Sequence, residues 1–67
     1  MQLSNTIRDI QAAIEEESAR GYNTKLLRKA LKQYNKAYKV ADRPYKMLKR
    51  IEKAEKYVNR YRKGEKW

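Results

Sequence analysis

From Leu3 to Tyr61 the apolar side chains of this chain recur every three or four residues. Two short interruptions, RGYNT at residues 20–24 and VADRP at residues 40–44, divide that recurrence into three. Such a period places apolar groups on one face of a helix, and strict alternation, the mark of a strand, is absent. The spacing therefore predicts an all-α chain of three helices, at about 4–20, 24–41 and 43–63, joined by short connections.

Each segment carries its own face and its own boundary signals. In the first, Leu3, Ile7, Ile10 and Ile14 step by four, three and four, with Ala13 beside them, which makes a narrow stripe. Ser4, Asn5 or Thr6 can cap its start, and Thr6 to Asp9 has capping-box spacing with Asp in place of Glu or Gln. Gly21 falls where a left-handed C′ residue ends a helix, with Tyr22 folding back on the last turn. Asn23 or Thr24 then caps the second segment, whose predicted face is Leu27, Leu31, Tyr34, Tyr38 and Ala41, widened by Leu26, Ala30 and Ala37.

Asp42 is the expected N-cap of the third segment, and Pro44 falls in its first turn, where a missing N–H costs nothing. Its predicted face is Leu48, Ile51, Ala54, Val58 and Tyr61, with Met47 alongside. A straight rod through residues 42–44 would set the two apolar faces about 100° apart, so a break there is expected, with the second and third helices antiparallel. Residues 1–67 are read as a single small helical domain, compact, with a flexible tail at 64–67.

Composition narrows the function. The chain has no Cys and no His, which removes disulfides, thiolate metal sites, the commonest metal ligand and the commonest general base. No metal, cofactor or small-molecule substrate is expected, and no enzyme: the carboxylates form no pair in an apolar pocket, and only two Gly are present, too few for a phosphate-cradling loop. No apolar run approaches a membrane span, and the first residues lack the pattern of a signal peptide, so the expected location is cytoplasmic or nucleoid-associated. A 67-residue domain buries only about 60% of its unfolded surface, so oligomerisation or a bound partner would help to stabilise it.

The charge is the strongest functional signal. The net charge is +10, unevenly placed. Residues 1–22 hold two bases against four acids, and residues 23–67 hold sixteen bases against four acids. In the second segment Lys25, Lys29, Lys32, Lys36 and Lys39 step four, three, four, three; in the third Lys46, Lys49, Lys53, Lys56, Arg60 and Lys63 step three, four, three, four, three. Like charges at these spacings repel by a few tenths of a kcal/mol per pair, so a sequence selected for folding alone would mix signs. Lys and Arg in rows suit a phosphate backbone, from which they release counterions. Arg28, Arg43 and Arg50 add planar forks for phosphate or guanine, and Tyr45, Tyr57 and the terminal Trp67 are candidates for stacking or anchoring.

The leading expectation is a nucleic-acid-binding accessory or architectural factor, DNA ahead of RNA, acting by charge on DNA or by binding a DNA-bound enzyme and touching DNA beside it. The alternative is a protein-interaction module of the phage or mobile-element kind, which regulates a larger partner through its basic face and its Tyr and Trp anchors. Self-association as a dimer is a third element, with Glu15, Glu16 and Glu17 either paired to neighbouring helices or meeting the basic face of another copy. A membrane-surface role is the weakest reading, because the apolar faces are diluted by Tyr and Ala.

Overall fold

The computed structural model describes residues 3–64, and three helices account for most of them: α1 (Leu3–Ala19), α2 (Lys25–Lys39) and α3 (Pro44–Arg62). α2 is the middle element; its backbone runs against both α1 and α3. Gln33 lies against Arg50 and Lys29 against Tyr57, so positions rising along α3 meet positions falling along α2, and the two helices are antiparallel. The break between them is a tight turn in which the Arg43 N–H donates to the Val40 carbonyl at 2.9 Å. The candidate tail residues 65–67 lie outside the described residues.

The core is thin and sits mainly in the α2–α3 seam. Ala30, Tyr34, Ala37, Ile51 and Ala54 form its buried centre, and Leu3, Ile7, Ile10, Met47, Tyr57 and Val58 pack around it half-buried. Ala30, Ala37 and Ala54 have no exposed surface at all. Methyl side chains at a helix contact put the axes at the close end of the usual range of about 8–10 Å. Leu26 and Leu27 extend the buried face towards the start of α2. α1 has no buried residue.

This core corrects the predicted faces. Tyr38 is 57% exposed, Leu48 is 54% exposed, and Ala41 is exposed beyond the end of α2. The buried side of α2 is centred on Leu26, Ala30 and Ala37, so Tyr38 lies roughly 80–100° round from it. The buried side of α3 runs through Ile51 and Ala54 with Met47 below them, which turns Leu48, one residue on, out of the seam. The alanines read as a widening of the face are its centre, because close packing selects small groups over large ones.

The helix ends also differ in detail. α1 already includes Ser4, Asn5 and Thr6 in its first turn, so none of them precedes it as a cap. Its C-terminus follows the expectation: Gly21 takes φ 82°, its N–H donates to the Ser18 carbonyl at 3.0 Å, and the Tyr22 N–H donates to the Glu17 carbonyl at 3.0 Å. These two bonds are the paired bonds of a Schellman turn. At α2 the cap position is Thr24, but its side chain turns inward, with Oγ1 3.5 Å from Ser18 Oγ. Asn23 supplies the side-chain acceptor instead, taking the Lys25 N–H at 2.9 Å. At α3 Arg43 stands at the cap position rather than Asp42, because the tight turn places Asp42 one residue early.

Candidate nucleic-acid interface

Packing α2 on α3 through alanines brings the two basic rows to the same seam. Lys29, Lys32 and Lys36 lie along one edge of α2, and Arg50, Lys53 and Tyr57 lie along the facing edge of α3. The Lys36 ammonium is held below its ordinary pKa, chiefly by the Arg50 guanidinium, then by loss of water, then by Lys32 and Lys53. Lys36 is exposed, so solvent screens this repulsion; its direction still shows that cations from both helices converge there. Arg50 has a partner on the opposite helix. Its Nη1 donates to Gln33 Oε1 at 3.3 Å, and Gln33 is buried.

An open groove of about 1020 Å³ continues this surface along α3. Lys46, Lys49, Arg50, Lys53, Lys56 and Arg60 line it, together with Val40, Tyr57 and the carboxylate of Glu52. A second hollow, of about 580 Å³, lies at the start of α2, where Lys25, Arg28, Lys29 and Lys32 surround Ser18, Tyr22 and Thr24. Lys32 belongs to this hollow and also faces Lys36, so it joins the two basic areas. Lys39, Arg43 and Lys63 line neither hollow and are exposed at the ends of α2 and α3.

The two aromatic candidates on this face both carry lysines. Lys49 Nζ stands 4.8 Å from the ring centre of Tyr45, which is 70% exposed. Lys29 Nζ stands 5.8 Å from the ring centre of Tyr57, a contact that crosses from α2 to α3. A cation over an aromatic face is attracted by the ring quadrupole, so these rings help to hold the lysines of the seam. Trp67 lies outside the described residues.

The acidic end of α1 makes one ion pair within its own segment and one contact across to α3. Glu16 Oε1 accepts from Arg20 Nη2 at 2.9 Å, one turn along its own segment. Glu17 faces Tyr61 of α3, and the Tyr61 hydroxyl is raised above its ordinary pKa by burial first and then by the Glu17 charge. Gln33 and the Glu17–Tyr61 contact had no place in the functional reading of the sequence. Gln33 did leave a signal there: it is the polar residue three after Ala30 and four before Ala37, on the packed face of α2.

Among the described residues, no group of three or more Asp, Glu, His or Cys side chains is placed to hold a metal ion. No described helix is long and apolar enough to cross a membrane. No protein-family model matches the chain, and neither a curated protein nor a solved structure matches it.

Proposed function

We propose that this chain is a small non-enzymatic nucleic-acid-binding protein, an accessory or architectural factor that holds the phosphate backbone against α2 and α3. The observation that carries the reading is the convergence of Lys32, Lys36, Arg50 and Lys53 across one seam, flanked by a groove in which six of the nine lining residues are Lys or Arg. This repulsion disfavours the free fold, and a polyanion laid along the seam reverses its sign. DNA is placed ahead of RNA because cations dominate the face. Single-strand and RNA readers rely on rows of open aromatic platforms, whereas on this face cations outnumber the rings and Tyr57 lies half-buried beneath Lys29. Such a protein works in the cytoplasm or on the nucleoid and needs no cofactor.

The test is titration into labelled duplex DNA of about 30 base pairs at several salt concentrations, with a single-stranded competitor. A log–log slope of about −4 or steeper is expected, from several phosphates engaged at once. Replacing Lys49, Lys53 and Lys56 together by Gln should leave helicity unchanged, weaken binding and flatten that slope by about 2–3. Absence of duplex binding at roughly 100 mM salt, where a protein engaging several phosphates should still bind, overturns the reading.

A second reading has its own observation. Tyr38, Tyr45 and Leu48 are large, apolar and exposed on either side of the α2–α3 turn. They favour a protein-interaction module in which these side chains anchor a larger partner, and binding of that kind would survive moderate salt.

A further inference from the structure

The cations of the seam are not equivalent. Most are lysines on flexible stems, but Arg50 is tied to a buried side chain of the opposite helix through Gln33 Oε1 at 3.3 Å. The chemistry of that partner matters. A carboxylate at position 33 would orient Arg50 equally well but would cancel its charge and occupy its fork. The neutral amide of Gln33 orients the guanidinium and leaves its charge, with the remaining N–H donors, for something else. The Lys36 ammonium, three residues on from Gln33, feels the charges of Arg50, of Lys32 one turn back on α2 and of Lys53 on α3. Each helix thus contributes two cations, and Arg50 and Lys36 are exposed to an incoming ligand.

We infer that Lys32, Lys36, Arg50 and Lys53 form a discrete phosphate-binding clamp in the middle of the α2–α3 seam, with Gln33 as the residue that positions Arg50. The inference rests on the backbone-binding reading and sharpens it: one phosphodiester is gripped from both helices at a fixed point, and the outlying lysines add diffuse attraction. Arg suits that role because its fork pairs with two phosphate oxygens, whereas Lys offers a point charge.

Two measurements test it. In the first, inorganic phosphate is titrated into the wild-type protein and side-chain N–H signals are followed by NMR. Saturable shifts of the Arg50 Nε–H and the Gln33 amide, ahead of Lys39 and Lys63, support the clamp. A uniform drift of all cationic side chains without saturation overturns it, even if duplex DNA binds. Saturation by phosphate with no duplex binding leaves the clamp standing and removes the nucleic-acid reading. In the second measurement, Arg50→Lys keeps the charge and loses the fork. It should weaken duplex binding about tenfold with the salt slope unchanged. Lys39→Gln, outside the clamp, should weaken binding about two- to threefold and flatten the slope by about 1. Equal effects of the two overturn the clamp. Gln33→Glu, checked for retained helicity by circular dichroism, should approach the loss seen for Arg50→Lys, and wild-type affinity in that variant would remove Gln33 from the role.

Discussion

α1 and the α2–α3 hairpin are built to different standards. The hairpin holds the buried centre, Ala30, Tyr34, Ala37, Ile51 and Ala54, and the converging cations. α1 belongs to the acid-rich part of the chain, buries no residue completely, and covers that centre with the half-buried Leu3, Ile7 and Ile10. The hairpin packs Ala30, Ala37 and Ala54 with no exposed surface beside Tyr34 and Ile51, so a larger group at an alanine position has no room. α1 rests on the outside through larger aliphatics that can tilt without opening a void. The difference teaches that in so small a chain the element carrying charge outward is also the element packed most closely inward. α1 is the part whose loosening would cost least.

The largest way to break this comparison is at Ile51. Ile51→Asp puts an unpaired charge in the centre and should cost more than about 3 kcal/mol, which is enough to unfold the whole domain as seen by circular dichroism. A folded variant would show that the hairpin does not hold the core. Next comes Ile10→Ala on α1, which should cost about 1–2 kcal/mol, below the range for a fully buried site because Ile10 is only half-buried. Hydrogen exchange should then show α1 losing protection before α2 and α3; simultaneous loss in all three would mean that no such division exists. Smaller again is Gly21→Ala, at about 1 kcal/mol, since φ 82° disfavours any Cβ although nothing lies within 4 Å of where that atom would be. Thermal melts should resolve that shift.

The smallest effect separates the two regions by pH. Tyr34 in the hairpin is raised above 10.0 by burial and then by Glu55, and Tyr61, against α1, is raised by burial and then by Glu17. In both cases the native state keeps its proton when the unfolded chain has lost it. The stability they contribute is therefore complete below pH 10.0 and is lost as pH rises through the native values. Tyr61→Phe should reduce the alkaline loss of protection in α1, and Tyr34→Phe should reduce it in α2 and α3. If Tyr61→Phe leaves the alkaline behaviour of α1 unchanged, the Glu17 contact does not couple α1 to α3.

Much of this architecture is legible in the residues, and the failures have a common cause. Gly21, Pro44 and the apolar period locate three helices to within about two residues, because these signals act locally on the backbone. Tyr38 and Leu48 mislead because residue type says what prefers burial, while the width of a helix contact decides what fits. α2 carries two overlapping stripes, one of large groups and one of alanines, and only the approach of α3 selects between them. The basic rows are visible as spacings, yet the meeting of Lys36 with Arg50 and Lys53 depends on the register of two helices separated by a turn. Gln33 shows the same limit: a polar residue on an apolar face marks something, but its partner is set by the fold.

The three alanines of the seam act as a ruler for the outside of the molecule. Ala30, Ala37 and Ala54 carry no charge and touch no solvent, yet together with Tyr34 and Ile51 beside them their size helps to set how far apart the two rows of cations stand. Exchanging one of them for a bulkier neutral residue would widen the spacing between the rows without altering a single charged group. The width of the positive strip on the surface is thus written in the smallest side chains of the interior.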